Sequence, residues 1–431
     1  MNIRTRIAPS PTGLMHIGTA RTALFNYLFA RANGGSFMLR FEDTDKKRSL
    51  KKFERDILDS LKWLKIQYDE GPMYQSKRLK IYKKYLKKLE ERKAVYKKDG
   101  AAFFKIADYG SGNTVGWKDL IRDDIRFALK DLKDFVIMKS DGMPGFMFSN
   151  MIDDLDLGIT DVIRGEDLIS STPSQILIAN ALNIPIPRYG HLPLILAPDR
   201  SKLSKRHGAI SVKEYERMGI VPDAVVNYLA LLGWNPGSNQ EFFSLGDLEH
   251  NFTIERVHKS GAIFDMDKLM HLNRLWLKTK SDTELLGLIK PHSKLKAPPQ
   301  LLKRAISVVR GRLSRLVEFD SFAQFIEAVT YHPTLLVFKQ SSREATRTGL
   351  ETTLKRIGES GVLFDSPQPL RQLLTQVVAQ AKLNNGDVFW PVRVALSGQE
   401  SSPPPHELMY VLGRDESIKR ISKAIEMLEN F

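Results

Sequence analysis

Residues 4–45 read RTRIAPSPTGLMHIGTARTALFNYLFARANGGSFMLRFEDTD, and this stretch decides the fold. Arg4 to Ile7 alternates polar and apolar residues as a short strand does, then breaks at the cluster of Pro9, Pro11 and Gly13. From Gly18 the segment TARTALFNYLFARA is rich in helix formers, with Leu24 and Leu28, and Phe25 and Phe29, at helical spacing. Gly34-Gly35 supplies the stop. SFMLRFEDTD then reads as a buried strand that ends in acids. Strand, glycine-bearing turn, helix and strand make a βαβ unit, so the economical fold is a parallel sheet with right-handed crossovers.

A second α/β pattern runs from Phe146 through DVIRGEDL (161–168) and the helical STPSQILIANAL (171–182) to the strand HLPLILAP (191–198). It closes on the basic loop DRSKLSKRHGA (199–209). Between the two patterns, QSKRLKIYKKYLKKLEERKAVYKK (75–98) predicts one helix with Leu79, Tyr82, Leu86 and Leu89 on a stripe and lysines over the rest. Such a face is either solvated surface or, in an RNA-handling protein, a row of phosphate contacts. Residues 101–138 give no clear pattern beyond turns at Gly110, Gly112 and Gly116. After about Asn235 the texture changes to amphipathic helices, with LKAPPQ (295–300) and GQESSPPPH (398–406) read as linkers between helical bundles. The expected architecture is an N-terminal α/β nucleotide domain, interrupted by an insertion and followed by helical modules.

Composition narrows the function classes. The 431 residues are 42% hydrophobic and 27% charged, which excludes collagen-like and wholly disordered chains. No cysteine is present, so disulfides, thiol nucleophiles and Cys-ligated zinc or iron–sulfur sites are excluded. Lys plus Arg number 65 against 50 acids, a formal charge of +15 that leaves RNA, DNA and acidic membranes open as partners. The longest strongly apolar stretch, Ala224 to Trp234, is too short for a membrane span. MNIRTRIAPSPTG starts positive without the apolar core of a signal segment, so a cytoplasmic location is expected.

Two segments carry candidate chemistry. Ala8 to Gly13, with His16-Ile17-Gly18, sits where a strand turns into a helix, and a helix N-terminus offers unpaired N–H groups to a phosphate while glycine permits close approach. The plain alternative is an ordinary turn with His16 as a helix cap. Lys202-Leu203-Ser204-Lys205-Arg206 follows a predicted strand, and its lysines could neutralise charge as pyrophosphate departs. Its plain alternative is a solvated basic loop. Their joint occurrence, in this order on a βα scaffold, is far more specific than either alone.

Taken together, APSPTGLMHIGTARTALFNYLFARANGG, LRFEDTD, DVIRGEDLISSTPSQ and HLPLILAPDRSKLSKRHGA resemble bacterial glutamyl-tRNA synthetases, a class I aminoacyl-tRNA synthetase family. GAIFDMDKLMHLN (261–273) is similar to that family's stem-contact segment, and residues 387–413 to its last anticodon-binding module. The resemblance implies a Rossmann-like catalytic domain in two halves, 1–74 and 146–235, split by a connective insertion at 75–145 that holds the tRNA acceptor end. It further implies a stem-contact domain at 236–296 and a helical anticodon-binding domain at 297–431.

At the site, the resemblance implies that ATP meets Pro9, Gly13, His16, Gly18, Glu166, Lys202, Ser204 and Lys205, with His16, Lys202 and Lys205 catalytic and Mg²⁺ on the phosphates. It implies that glutamate meets Arg6, Ala8, Ser10, Glu42, Phe146, Asn150 and Arg164, with Thr12 and Asp154 as lesser candidates. Glu42 would hold the amino group and the two arginines the two carboxylates, a pairing suited to the planar guanidinium fork. An ion pair of Arg164 with Glu166 or Asp167 is the structural alternative. Partners implied are L-glutamate and tRNA, of glutamate isoacceptors with glutamine isoacceptors as a second option, and a monomer.

The chain also departs from the family. Thr19 stands where its first signature can end in histidine, and Gly145-Phe146 where it usually has Thr-Tyr. The stretch after Tyr96 is contracted, and no zinc is expected there. Alternatives within reach of the same motifs are a base-modifying relative that glutamylates queuosine, a glutaminyl-tRNA synthetase, and an inactive tRNA-binding paralogue.

Overall fold

The computed structural model describes residues 2–106, 112–201, 203 and 210–430. The chain forms two compact units, one of Met1–Glu216 with Pro222–Leu272, the other of Arg217–Val221 with Asn273–Phe431. The boundary at 272–273 falls inside the 236–296 segment.

The first unit opens as predicted with β1 (Arg4–Ile7), α1 (Ile17–Ala32) and β2 (Ser36–Phe41). β1 and β2 pair in parallel, Arg4 opposite Ser36 and Ile7 opposite Leu39. α1 is buried on nearly every side, from Ile17 through Leu24, Phe25 and Leu28, which is why its sequence is apolar all round rather than striped. Gly34 takes φ +62° at the stop, and a Cβ on Gly35 would lie 2.2 Å from the Ile3 carbonyl oxygen. α2 (Lys51–Trp63) returns the chain to β3 (Glu70–Tyr74), parallel to β2.

α3 (Leu79–Glu91) is shorter than the helix expected over 75–98. Lys93 turns through φ +59°, and β4 (Val95–Lys98) pairs antiparallel with β5 (Ala101–Phe104). Pairing with β5 overrides the helical propensity of Lys and Arg there, since propensity is a weak prior against tertiary context. The unparsed segment is an antiparallel hairpin, β6 (Thr114–Asp119) and β7 (Asp123–Ala128), followed by β8 (Phe135–Met138), which pairs with β5.

α4 (Phe146–Asp156), β9 (Asp161–Gly165), α5 (Thr172–Leu182) and β10 (Arg188–Leu192) restore the α/β alternation, with β9 and β10 parallel. The Thr160 N–H donates to the Arg4 carbonyl at 3.0 Å and the Arg4 N–H to Thr160 Oγ1 at 2.7 Å, so β1 lies beside β9. Asn26 of α1 donates to the Ile163 carbonyl. The parallel strands therefore run β3-β2-β1-β9-β10, a Rossmann-like order. β11 (Ile195–Leu196) precedes α6 (Val212–Arg217), α7 (Pro222–Leu231) and α8 (Leu245–Asn251). β12 (Ala262–Ile263) returns to pair with β11, and α9 (Met266–Thr279) follows.

The second unit is helical: α10 (Asp282–Ile289), α11 (Pro299–Val309), α12 (Phe319–Ala323), α13 (Arg343–Glu359), α14 (Pro367–Ala381), α15 (Asn385–Ser397) and α16 (Pro405–Glu429). The proline-bearing stretches are not linkers between bundles. Pro298 and Pro404 cap α11 and α16 within this one unit, and Pro299 and Pro405 occupy the first helical position, where a missing N–H costs nothing. Buried Arg420 of α16 ties the unit together by donating to the carbonyls of Phe325, Leu396 and Glu327. Among the described residues no helix is long and apolar enough to cross a membrane.

Candidate active site

The signature turn is held from several sides. The Glu42 N–H donates to the Pro9 carbonyl, the Leu50 N–H to the Pro11 carbonyl and the Met15 N–H to Asp56. His16 caps α1, Nδ1 accepting from the Thr19 N–H at 3.3 Å, while Nε2 lies 3.1 Å from Thr19 Oγ1. Thr19 thus engages the ring rather than only replacing a histidine. Capping and phosphate binding are compatible, because the remaining N–H groups of the first turn stay unpaired within the helix. Gly18 suits this position, since a Cβ would lie 3.1 Å from the His16 ring, a tight contact that would press on the cap. Around Gly13 there is open space, and Ser10 is exposed. Lys202, Ser204, Lys205 and Arg206 lie outside the described residues.

Behind the turn, β1, β2 and α4 bring buried charges together. Arg6 donates through Nε and Nη2 to the two oxygens of Asp154, at 3.1 and 3.2 Å. Arg40, wholly enclosed, donates to Asp154 at 2.7 Å and lies 3.6 Å from Glu42 and 3.8 Å from Asp153. Asp153 also accepts from Gln75, Arg78 and the Tyr82 hydroxyl, which docks the start of α3 on α4. Asn150 donates to Glu42 and accepts from Gln175 at 3.0 Å, which fixes its amide orientation. Burial raises Glu42 above the ordinary carboxylate range despite Arg40 and Asn150, whereas Arg40 and Arg6 overcome burial at Asp154 and hold it low.

Arg164 on β9 is buried, and its guanidinium sits 5.1 Å over the Tyr189 ring. It pairs with neither Glu166 nor Asp167, contrary to the structural alternative. Nε faces His191 Nε2 at 3.2 Å, Nη2 donates to Thr172 at 2.7 Å, and Nη1 is buried with no partner. Burial lowers it to about 10, and it lies within electrostatic reach of Arg6, Asp154 and Glu42. A buried guanidinium with an unspent donor suits a carboxylate ligand. Glu166 accepts from the Leu194 N–H at 2.7 Å and pairs with Arg122, so its side chain braces the end of β10 against the turn that leads into β7.

Phe146 is the first residue of α4 and is 41% exposed. Gly145 before it is explained by packing: a Cβ there would meet the Val136 carbonyl oxygen at 2.4 Å, so a threonine does not fit without moving β8. Sequence reading missed Arg40, Asp119, Gln175 and His191. Arg40 and His191 carried a signal, each a polar residue with an apolar neighbour at a buried strand position.

The parallel strand order and the capped signature turn are those of a Rossmann-like catalytic domain, and comparison with known proteins makes it that of a class I tRNA synthetase. The chain matches the family pattern of class I (E and Q) tRNA synthetase catalytic domains over residues 2–102 and 93–271, and an anticodon-binding domain over 284–425. It is 39% identical to glutamate–tRNA ligase 2 of Thermoanaerobacter pseudethanolicus, over 99% of this chain and 98% of that one, and 38% identical to glutamate–tRNA ligase of Syntrophobacter fumaroxidans at the same coverage. The crystal structure of a glutamate–tRNA ligase from Elizabethkingia meningosepticum, in complex with its amino acid, superposes with a TM-score of 0.86 at 27% identity, covering 99% of this chain and all of that one. The chain belongs to the glutamate–tRNA ligase family. The first alignment runs over 478 positions against 431 residues, so the relative carries segments this chain lacks, and the catalytic family pattern matches in two pieces that overlap over residues 93–102.

Proposed function

We propose that this chain is a glutamate–tRNA ligase in which Arg6 and Arg164 grip the two carboxylates of L-glutamate and Glu42 its ammonium. The observation that carries the site is two buried guanidiniums within electrostatic reach of buried Glu42, one of them with an unspent donor. Arginine's planar fork favours a carboxylate over the neutral amide of glutamine. Ala8, Ser10, Thr12, Phe146 and Asn150 complete the pocket in this proposal.

An α-carboxylate oxygen of glutamate attacks the α-phosphorus of ATP, and the bond to the bridging oxygen breaks to release pyrophosphate. The 3′-terminal ribose hydroxyl of tRNA then attacks the glutamyl carbonyl and AMP leaves. Pro9, Gly13, Gly18 and Glu166 would border the nucleotide, with His16 and the lysines of the 202–205 loop on the phosphates. Positioning and fixed charge supply the acceleration, with no covalent enzyme intermediate. Mg²⁺ belongs with the nucleotide's phosphates in this proposal.

For tRNA, the exposed lysines of α3 suit the acceptor end. In the helical unit, burial and then Arg371 and Arg393 depress His406, and Arg312 adds to burial at Arg393, a cation cluster suited to phosphates. Segments 75–145, 236–296 and 297–431 take acceptor-end, stem-contact and anticodon roles in this reading, and the enzyme works as a cytoplasmic monomer. ATP–pyrophosphate exchange with glutamate, with and without tRNA, tests the activity. Charging of purified glutamate and glutamine tRNAs, scored separately, tests its range. No exchange and no charging by folded protein would overturn the proposal.

A further inference from the structure

His191 lies on β10 with no exposure, and its two ring nitrogens face different partners. Nδ1 is 2.5 Å from Asp119 Oδ2, and Nε2 is 3.2 Å from Arg164 Nε. A guanidinium can only donate, so Nε2 must accept and the ring must be neutral with its proton on Nδ1. Asp119 is built to enforce that tautomer. Besides Nδ1–H it accepts from the N–H groups of His191, Ile121 and Arg122 and from the Trp117 indole, which leaves it acceptor-only. Thr172 occupies the next edge of Arg164, its Oγ1 accepting from Nη2 while lying 3.1 Å from His191 Nε2 and 3.2 Å from the Leu168 carbonyl, so that it borders both the guanidinium and the ring. Nη1 is the one buried nitrogen of this guanidinium without a partner.

We propose that Asp119 and His191 are positioning residues for glutamate recognition: Asp119 fixes the His191 tautomer, His191 Nε2 holds Arg164 by Nε, and the guanidinium is thereby presented with its free edge to the substrate's carboxylate. This rests on the reading of Arg164 as a glutamate ligand. Asp119 ends β6, so the segment that interrupts the catalytic sheet contributes a support to the amino-acid pocket as well as a candidate surface for RNA. A purely structural role for the buried pair would show in stability and in both substrates alike. A positioning role shows in glutamate alone.

Aminoacylation with saturating tRNA is measured for wild type, Asp119→Asn, His191→Asn, His191→Gln and Arg164→Gln, with KM for glutamate and ATP, kcat and melting temperature. Asn at 191 reproduces only Nδ1, whereas Gln can place an acceptor at Nε2. Asp119→Asn offers an N–H to Nδ1 and reverses the tautomer. Expected are a rise in glutamate KM of about tenfold or more for Asp119→Asn and His191→Asn, an ATP KM within about twofold of wild type, and recovery to within about threefold by His191→Gln. Glutamate and ATP KM rising together, or Gln behaving as Asn, would overturn the inference. If Arg164→Gln leaves glutamate KM unchanged, the glutamate reading itself fails. If Arg164→Gln raises it while Asp119→Asn and His191→Asn do not, the positioning role alone fails. Should variants not fold, the ¹⁵N ring signals of His191 in the native chain decide: Nδ1–H with unprotonated Nε2 is expected, and Nε2–H would overturn it.

Discussion

Arg6 and Asp154 meet in two bonds of 3.1 and 3.2 Å, and Arg40 donates at 2.7 Å to Oδ1, the oxygen that also accepts from Arg6 Nε. All three side chains are almost fully enclosed. One carboxylate on α4 thus sets the position of an arginine proposed to touch substrate and of another that does not.

Asp154→Ala should therefore cost more than a single hydrogen bond. It leaves two buried guanidiniums under-compensated, and breaking a buried pair from one side costs about 3–5 kcal/mol. With roughly 2–4 °C per kcal/mol for a unit of this size, the melting transition should fall on the order of 10 °C. Differential scanning calorimetry checks this, and a shift of only about 1 °C would mean that the network contributes little.

Glu42 predicts a pH dependence. Burial raises its folded-state value above 4.5, so the folded chain keeps this proton to higher pH than the unfolded chain does. Stability from this group is full below 4.5 and declines as pH rises through the raised value. Glutamate binding has the opposite sign, because the substrate ammonium needs the carboxylate. Glutamate KM should rise as pH falls from neutrality toward Glu42's range. Glu42→Gln should raise KM at neutral pH and flatten that profile, whereas an unaltered profile would remove Glu42 from amino-acid binding.

Phe146 sets a smaller effect. Loss of a hydroxyl bond to a charged group costs about 1.5–3 kcal/mol in a buried pocket, but at 41% exposure water competes and about 0.5–1.5 kcal/mol is appropriate. Phe146→Tyr should lower glutamate KM by roughly two- to tenfold. A steady-state titration decides, and no change would mean that position 146 lies outside the amino-acid pocket.

The lysine face of α3 is tested by salt. Lys80, Lys83 and Lys84 are exposed, while Tyr82, Tyr85 and Leu89 pack inward. Replacing all three lysines by Gln should weaken tRNA binding and reduce the slope of log K against log salt by about 0.7–0.9 for each phosphate no longer neutralised. An unchanged slope would make the face solvated surface.

These relationships were unequally legible in the sequence. β1, α1 and β2 were readable because strand, glycine stop and helix former agree locally. The end of α3 was not, since Arg92, Lys93 and Ala94 continue the helix-forming run and only Val95-Tyr96 favours a strand, which pairing with Ala101–Phe104 extends. In β6 the buried positions alternate through Val115, Trp117 and Asp119, a period of two that the sequence carried but that a charged member obscured. Arg6, Glu42 and Arg164 came from motif likeness. Their supports did not, because Asp119 and His191 stand 72 residues apart and only the fold joins them.

Selection of a dicarboxylic amino acid by two enclosed arginines is read out directly by kcat/KM for glutamate and for glutamine, with tRNA present, in wild type, Arg6→Gln and Arg164→Gln. Wild type should prefer glutamate by orders of magnitude, and each variant should lose about 100-fold or more, close to 3 kcal/mol at roughly 1.4 kcal/mol per tenfold, with ATP KM little changed. Equal use of both amino acids, or variants that keep wild-type glutamate kcat/KM, would contradict it.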